Sequence, residues 1–181
     1  MHKHLQKVRE FHQRFGIEQP AYPETAHLSD MDIVMRQALL MDCGSETFKA
    51  ITAGDLAKIL AGLVDLAYNA LAAIACRGDD VSATTVKWRQ DGSVLSVMRV
   101  LADKINNCSS GESIHYSALY NLCEQLARGF VNADFDRAFN TVHAHLMGSN
   151  IPSTNAGRDY GQRIAKETLP PAPDLSDALY E

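Results

Sequence analysis

The chain of 181 residues has one tryptophan, six prolines and no run of Lys and Arg. Its 17 basic residues are outnumbered by 22 acidic ones, for a formal net charge of −5. Nucleic-acid phosphates are held by clustered positive charge, so a nucleic-acid polymer is not an expected partner. The densest basic segment, Lys3 to Arg14, is itself interrupted by Glu10. The four cysteines (Cys43, Cys76, Cys108, Cys123) share no CxxC or CxxH spacing. That argues against a zinc site and against a disulfide framework, and reduced thiols in a cytoplasmic setting are the expectation. Polar residues follow Met-His-Lys-His, so no signal peptide is expected. A long uninterrupted hydrophobic run is missing as well. The most apolar stretch, Leu56 to Cys76, contains Lys58, Asp65 and Asn69. It reads as the central helix of a bundle, not as a membrane span. No strand-rich region stands out, although a short hairpin around Thr85–Arg89 is open. The expected class is all-α.

What the sequence does have is apolar residues at 3/4 spacing, enough for a bundle of about six helices. Leu5, Val8, Phe11 and Phe15 give a first helix one apolar face, with Gly16 as its C-cap. Pro20 and Pro23 make residues 17–29 a loop. Ser29 or Asp30 can cap a second helix from Met31, weakened in its middle by Gly44 and Ser45. Thr52 and Asp55 have the spacing of a capping box for a third helix, roughly 54–77. That helix is apolar nearly all round and belongs at the centre. Three more follow, at about Ser93–Asn106, Ser113–Arg128 and from Asn132 or Asp134 to Leu146. The expected organisation is one domain over 1–150 and an extended tail over 151–181, packed on it and ending in Leu169-Pro-Pro-Ala-Pro-Asp-Leu.

Two short echoes point to an internal duplication with halves at 31–79 and 94–147. Val34-Met-Arg returns as Val97-Met-Arg, and Tyr68-Asn69 as Tyr120-Asn121.

Three carboxylates hold most of the chemical interest. Asp42 and Glu46 are four residues apart and share a helix face. Asp65 sits inside the apolar third helix, where an acid is costly unless paired. The partner can be a cation or a salt-bridging Lys58, Arg36 or Arg99.

The order of several motifs resembles the all-α nucleoside triphosphate pyrophosphohydrolases, the MazG-like and phosphoribosyl-ATP pyrophosphohydrolase-like group. They are Val8-Arg-Glu-Phe-His-Gln-Arg-Phe-Gly16, Arg36 with Leu39-Leu40 and Asp42 to Glu46, Gly54-Asp55, Leu63-Val-Asp-Leu-Ala-Tyr68, Phe139-Asn-Thr-Val-His143, and a tail around Tyr160-Gly-Gln-Arg163, Lys166 and Pro170 to Leu175. The resemblance implies a helical scaffold on which acids from two packed helices hold Mg²⁺, or Mn²⁺, with a nucleoside triphosphate. Water then attacks the α-phosphorus and pyrophosphate leaves. It implies Asp42, Glu46 and Asp65 as metal-binding and catalytic groups, with Asn69 assisting and Arg36 or Lys87 touching phosphate. A nucleotide is the expected partner and a homodimer an open assembly. The chain also departs from the pattern. Cys43 and Gly62, or Ala61 in a looser alignment, fall where the family has acids, and Leu146 and Ser149 where it has an Asn and a phosphate-binding Lys. An inactive relative, kept as a nucleotide-binding or protein-interaction scaffold, is therefore the alternative. His143, His145 and Trp88 read as packing or surface groups.

Overall fold

A computed structural model of the protein describes residues 1–90, 93–149 and 172–180. These residues form six α-helices: α1 (Lys3–Phe15), α2 (Asp30–Ala53), α3 (Leu56–Arg77), α4 (Val94–Asn107), α5 (Ser113–Gly129) and α6 (Phe135–Met147). Single 3₁₀ turns lie at Cys108–Ser110 and Ser176–Ala178. The described part of the chain is all-helical, as its periodicity predicts.

Local chemistry sets most of the helix ends. Gly16 closes α1 in the left-handed region at φ 68°. Ser29 and Asp32 form a reciprocal capping box that starts α2. The expected Thr52–Asp55 box does not form. The Thr52 hydroxyl donates back to the Phe48 carbonyl at 2.9 Å, so α2 continues through it until Gly54 reaches φ 68°. Asp55 then caps α3 by itself, accepting from the Lys58 amide at 3.1 Å. Lys58 ion-pairs with the same aspartate at 3.2 Å.

α3 and α5 pack on each other at the centre. α2 flanks α3, α4 bridges α2 and α5, and α1 with α6 closes the other side of α3. α3 is long and apolar enough to cross a bilayer, yet 72% of its most apolar window is buried inside the protein. Two buried tyrosines organise the interior. Tyr68 of α3 shares a 3.1 Å hydrogen bond with His143 Nδ1 of α6. Tyr120 of α5 shares one of 2.8 Å with His4 Nδ1 of α1. Phe139 stacks on both Tyr68 and His4, at centroid distances of 5.3 and 4.1 Å. Both residues of the Tyr-Asn echo therefore occupy central helices, and each tyrosine meets a histidine of an outer helix.

Residues 79–90 form no hairpin. Their polar groups are met from α5 instead, where the Asn121 amide donates to the Ser82 carbonyl and to Thr84 Oγ1. Residues 175–180 lie against the turn that precedes α6. Asp134 and Tyr180 amides bond the Ala178 and Asn132 carbonyls at 2.7 and 3.0 Å, and Leu175 is buried. The Tyr160 to Arg163, Lys166 and Pro170 part of the tail motif lies outside the described residues.

Candidate functional site

α2 and α3 form an antiparallel hairpin whose register two contacts define. Thr47 lies against Gly62, and Asn69 Nδ2 is 3.7 Å from Cys43 Sγ. Between these contacts Glu46 and Asp65 come to the same level of the hairpin, both exposed to solvent. Asp42 is exposed one turn before Glu46. Asn69, half-buried, donates to the Asp65 carbonyl at 2.8 Å, which fixes its amide next to the aspartate. Lys49 ion-pairs with Glu46 at 3.1 Å and brings a cation beside it.

The other two expected phosphate contacts stand elsewhere. Arg36 lies earlier on α2, half-buried near Cys76 at the far end of α3. Burial pushes the Cys76 thiol above its ordinary range, and the Arg36 guanidinium opposes that shift through charge and a hydrogen bond. Lys87 is exposed on the 79–90 segment, which Asn121 and the contact of Trp88 with Gly129 hold along α5. The two histidines of the late motif serve packing and surface: His143 is buried on Tyr68, and His145 is half-exposed.

The position of Gly62 explains one of the departures from the family pattern. A Cβ there would overlap the Thr47 side chain and press on its backbone. The two helices have closed over the place where an acid would stand, and Thr47 is fully buried in consequence. Among the described residues, no group of three or more His, Cys, Asp or Glu is arranged to hold a metal ion. A preformed four-acid cage does not fit this hairpin. The donor set fits a different mode of binding. Mg²⁺ commonly takes only one or two protein carboxylates and fills its octahedron with water and substrate phosphate oxygens. Glu46 and Asp65 are hard oxygen donors on facing helices and can serve a cation that arrives on a polyphosphate, with Asp42 and Asn69 beside them.

Periodicity alone does not reveal a second feature, a cleft of about 490 Å³ between α2 and α4. It runs beside the Glu46–Lys49 pair, since Lys49 lines it. The mid-helix Gly44 was its one sequence signal. Gly44 is buried, and a Cβ there would come within 2.8 Å of Ile105 Cδ1 on α4. It marks the close approach of α4, where the sequence suggested only a weak point in α2.

Residues 8–86 match the family model described as phosphoribosyl-ATP pyrophosphohydrolase. The resemblance visible in the motifs is to this family. The matched segment covers α2, α3, most of α1 and part of the 79–90 segment, so it contains Asp42, Glu46, Asp65 and Asn69. No curated protein and no solved structure matches the chain. The matched family is one of pyrophosphohydrolases, hydrolases of acid anhydrides, and that general class of activity is what the match supports.

Proposed function

We propose that the chain is a MazG-like nucleoside triphosphate pyrophosphohydrolase that takes its Mg²⁺, or Mn²⁺, together with the substrate and releases a nucleoside monophosphate and pyrophosphate. The observation that carries the reading is the level placement of Glu46 and Asp65 on the matched α2–α3 hairpin. When bound, the cation would neutralise phosphate charge and acidify a water. The chain would supply the rest. Glu46 and Asp65 hold the charged complex, the Asn69 amide orients it, and Lys49 can turn from Glu46 to a phosphate oxygen. Asp42, one turn away, offers a further carboxylate to accept a proton. α5 packs on α3 and α4 on α2, as the two helices of a second, degenerate copy of α2–α3 would. In that reading the chain completes its own bundle, and homodimerisation adds to the assembly without being needed for it. Four free thiols accord with a cytoplasmic setting.

The closure at Gly62 and the thiol at Cys43 favour a second reading, a non-catalytic scaffold that keeps the fold. Pyrophosphate release from a panel of nucleoside triphosphates, with Mg²⁺ and with Mn²⁺, separates the two. Metal-dependent release that disappears in Asp65→Asn is the result expected of the hydrolase. Silence across the panel, with Asp65→Asn equal to wild type, would leave the scaffold reading.

A further inference from the structure

The cleft between α2 and α4 has the construction of a binding site for a planar, partly polar molecule. Met41, Phe48 and Ile105 supply apolar wall, while Gln37 and Asn106 carry amides and Lys49 stands at the rim. Its volume of about 490 Å³ is in the range of small-molecule sites, which typically combine apolar walls with a few placed polar groups. One polar atom of its lining residues is unsatisfied. Gln37 Nε2 donates to the Ile105 carbonyl at 2.9 Å, but its Oε1 is buried and accepts no hydrogen bond. An amide held by one end with its acceptor unused is the kind of group that reads a donor on a ligand edge. Lys49 links the cleft rim to the nearest of the acids, because its Nζ pairs with Glu46.

We infer that this cleft takes the base of the nucleotide, with the polyphosphate crossing the rim at Lys49 to reach Glu46 and Asp65. The inference rests on the proposed function and adds to it a location for the base. Phe48 and Met41 supply the faces against which a base packs. Gln37 and Asn106 meet its edge. Asn106 and the Gln37 acceptor make the site selective for bases that present an exocyclic amine or ring N–H.

The test compares a nucleoside triphosphate with inorganic tripolyphosphate, which has the same charge chemistry and no base. Binding of each is measured by calorimetry in Mg²⁺, for wild type, Ala102→Trp and Gln37→Met. Ala102 is an exposed residue of α4 on the cleft wall, so an indole there fills the space without entering the core. At least a tenfold loss of nucleotide affinity in Ala102→Trp, with tripolyphosphate affinity unchanged, is expected. Gln37→Met keeps the side-chain length and is expected to lower base discrimination. Nucleotide affinity unchanged in Ala102→Trp overturns the inference, as does an equal loss for both ligands. A wild type that binds tripolyphosphate as tightly as the nucleotide overturns the base site and leaves the hydrolase reading standing. A wild type that binds neither ligand overturns both.

Discussion

Gly62 of α3 lies so close to Thr47 of α2 that a Cβ at position 62 would overlap the threonine side chain. Thr47 is fully buried and its hydroxyl donates to the Cys43 carbonyl at 2.8 Å, so it has little freedom to move aside. Gly62→Ala should therefore cost about 1–3 kcal/mol, the range for inserting a methyl into a packed interface. Thr47→Ala in the same chain should recover part of that loss, and denaturant unfolding of the four-member cycle measures the coupling. Gly62→Glu should unfold the hairpin without raising pyrophosphate release. A stable, more active Gly62→Glu protein would show that the helices can reopen around a restored acid.

Asp65 should behave in the opposite way. It is exposed on the surface of α3, and the interactions of an exposed carboxylate contribute about 1 kcal/mol or less to stability. Asp65→Asn should thus unfold close to the wild-type denaturant midpoint while losing metal-dependent binding of a nucleoside triphosphate. A fall of several kcal/mol in stability would instead make Asp65 a structural ion-pair partner.

The helices were legible because their signals are local: apolar spacing, Ser29 and Asp32 at a start, Gly16 and Gly54 at stops. The centrality of α3 was legible from an apolar surface that continues all round the helix. Contacts that join distant parts of the chain were not. Nothing near Gly44 in sequence announces Ile105, and nothing near Tyr120 announces His4, 116 residues away. The Thr85–Arg89 segment has strand-like composition but pairs with no strand among the described residues, and Asn121 meets its neighbouring polar groups. Asp65 stood out because an acid in an apolar helix is costly, although α3 leaves it at the surface, and Asp42 and Glu46 stood out because they share a helix face. The cleft beside them was missed because an apolar wall in a groove and an apolar wall in a core have the same spacing.

Two buried histidines should make the fold acid-sensitive. Burial lowers His4 from its ordinary value to about 4, against the opposing charge of Asp136. Burial likewise lowers His12 to about 3, helped by the Arg36 charge. Near pH 7 both are neutral in the folded and unfolded states. As pH falls through about 6.5, the ordinary histidine value, the unfolded chain takes up protons that the folded chain refuses. Stability should therefore fall from about pH 6.5 toward pH 3, by about 1.4 kcal/mol for every tenfold difference in proton affinity between the unfolded and folded imidazole. Asp136 is partly desolvated but held below its ordinary value by Lys3 and His4, and it adds to the loss once acid titrates it. Urea unfolding at pH 7.5, 6 and 4.5 should show this slope, and His4→Phe should flatten it. A wild-type stability constant across those values would contradict neutral, buried imidazoles.

Arg77 ends α3 as a buried cation, and its partners come from the next turn and from the start of α5. Its Nε donates to Asp79 at 3.1 Å and to the Ser113 hydroxyl at 2.9 Å. Nη1 donates to the Gly111 carbonyl at 3.0 Å, and Nη2 pairs with Glu112 at 3.2 Å. The guanidinium thus ties the C-terminus of the central α3 to the N-terminus of the central α5, where α5 has no side-chain cap of its own. Lysine carries one point of charge and cannot reproduce this fork. Arg77→Lys should therefore cost nearly as much as Arg77→Met, about 3 kcal/mol for breaking a buried pair. Because Asp79 is more exposed than Arg77, Asp79→Asn should cost clearly less. Thermal unfolding of the three variants would order them, and an Arg77→Lys protein as stable as wild type would mean that charge alone, not the forked geometry, joins the two central helices.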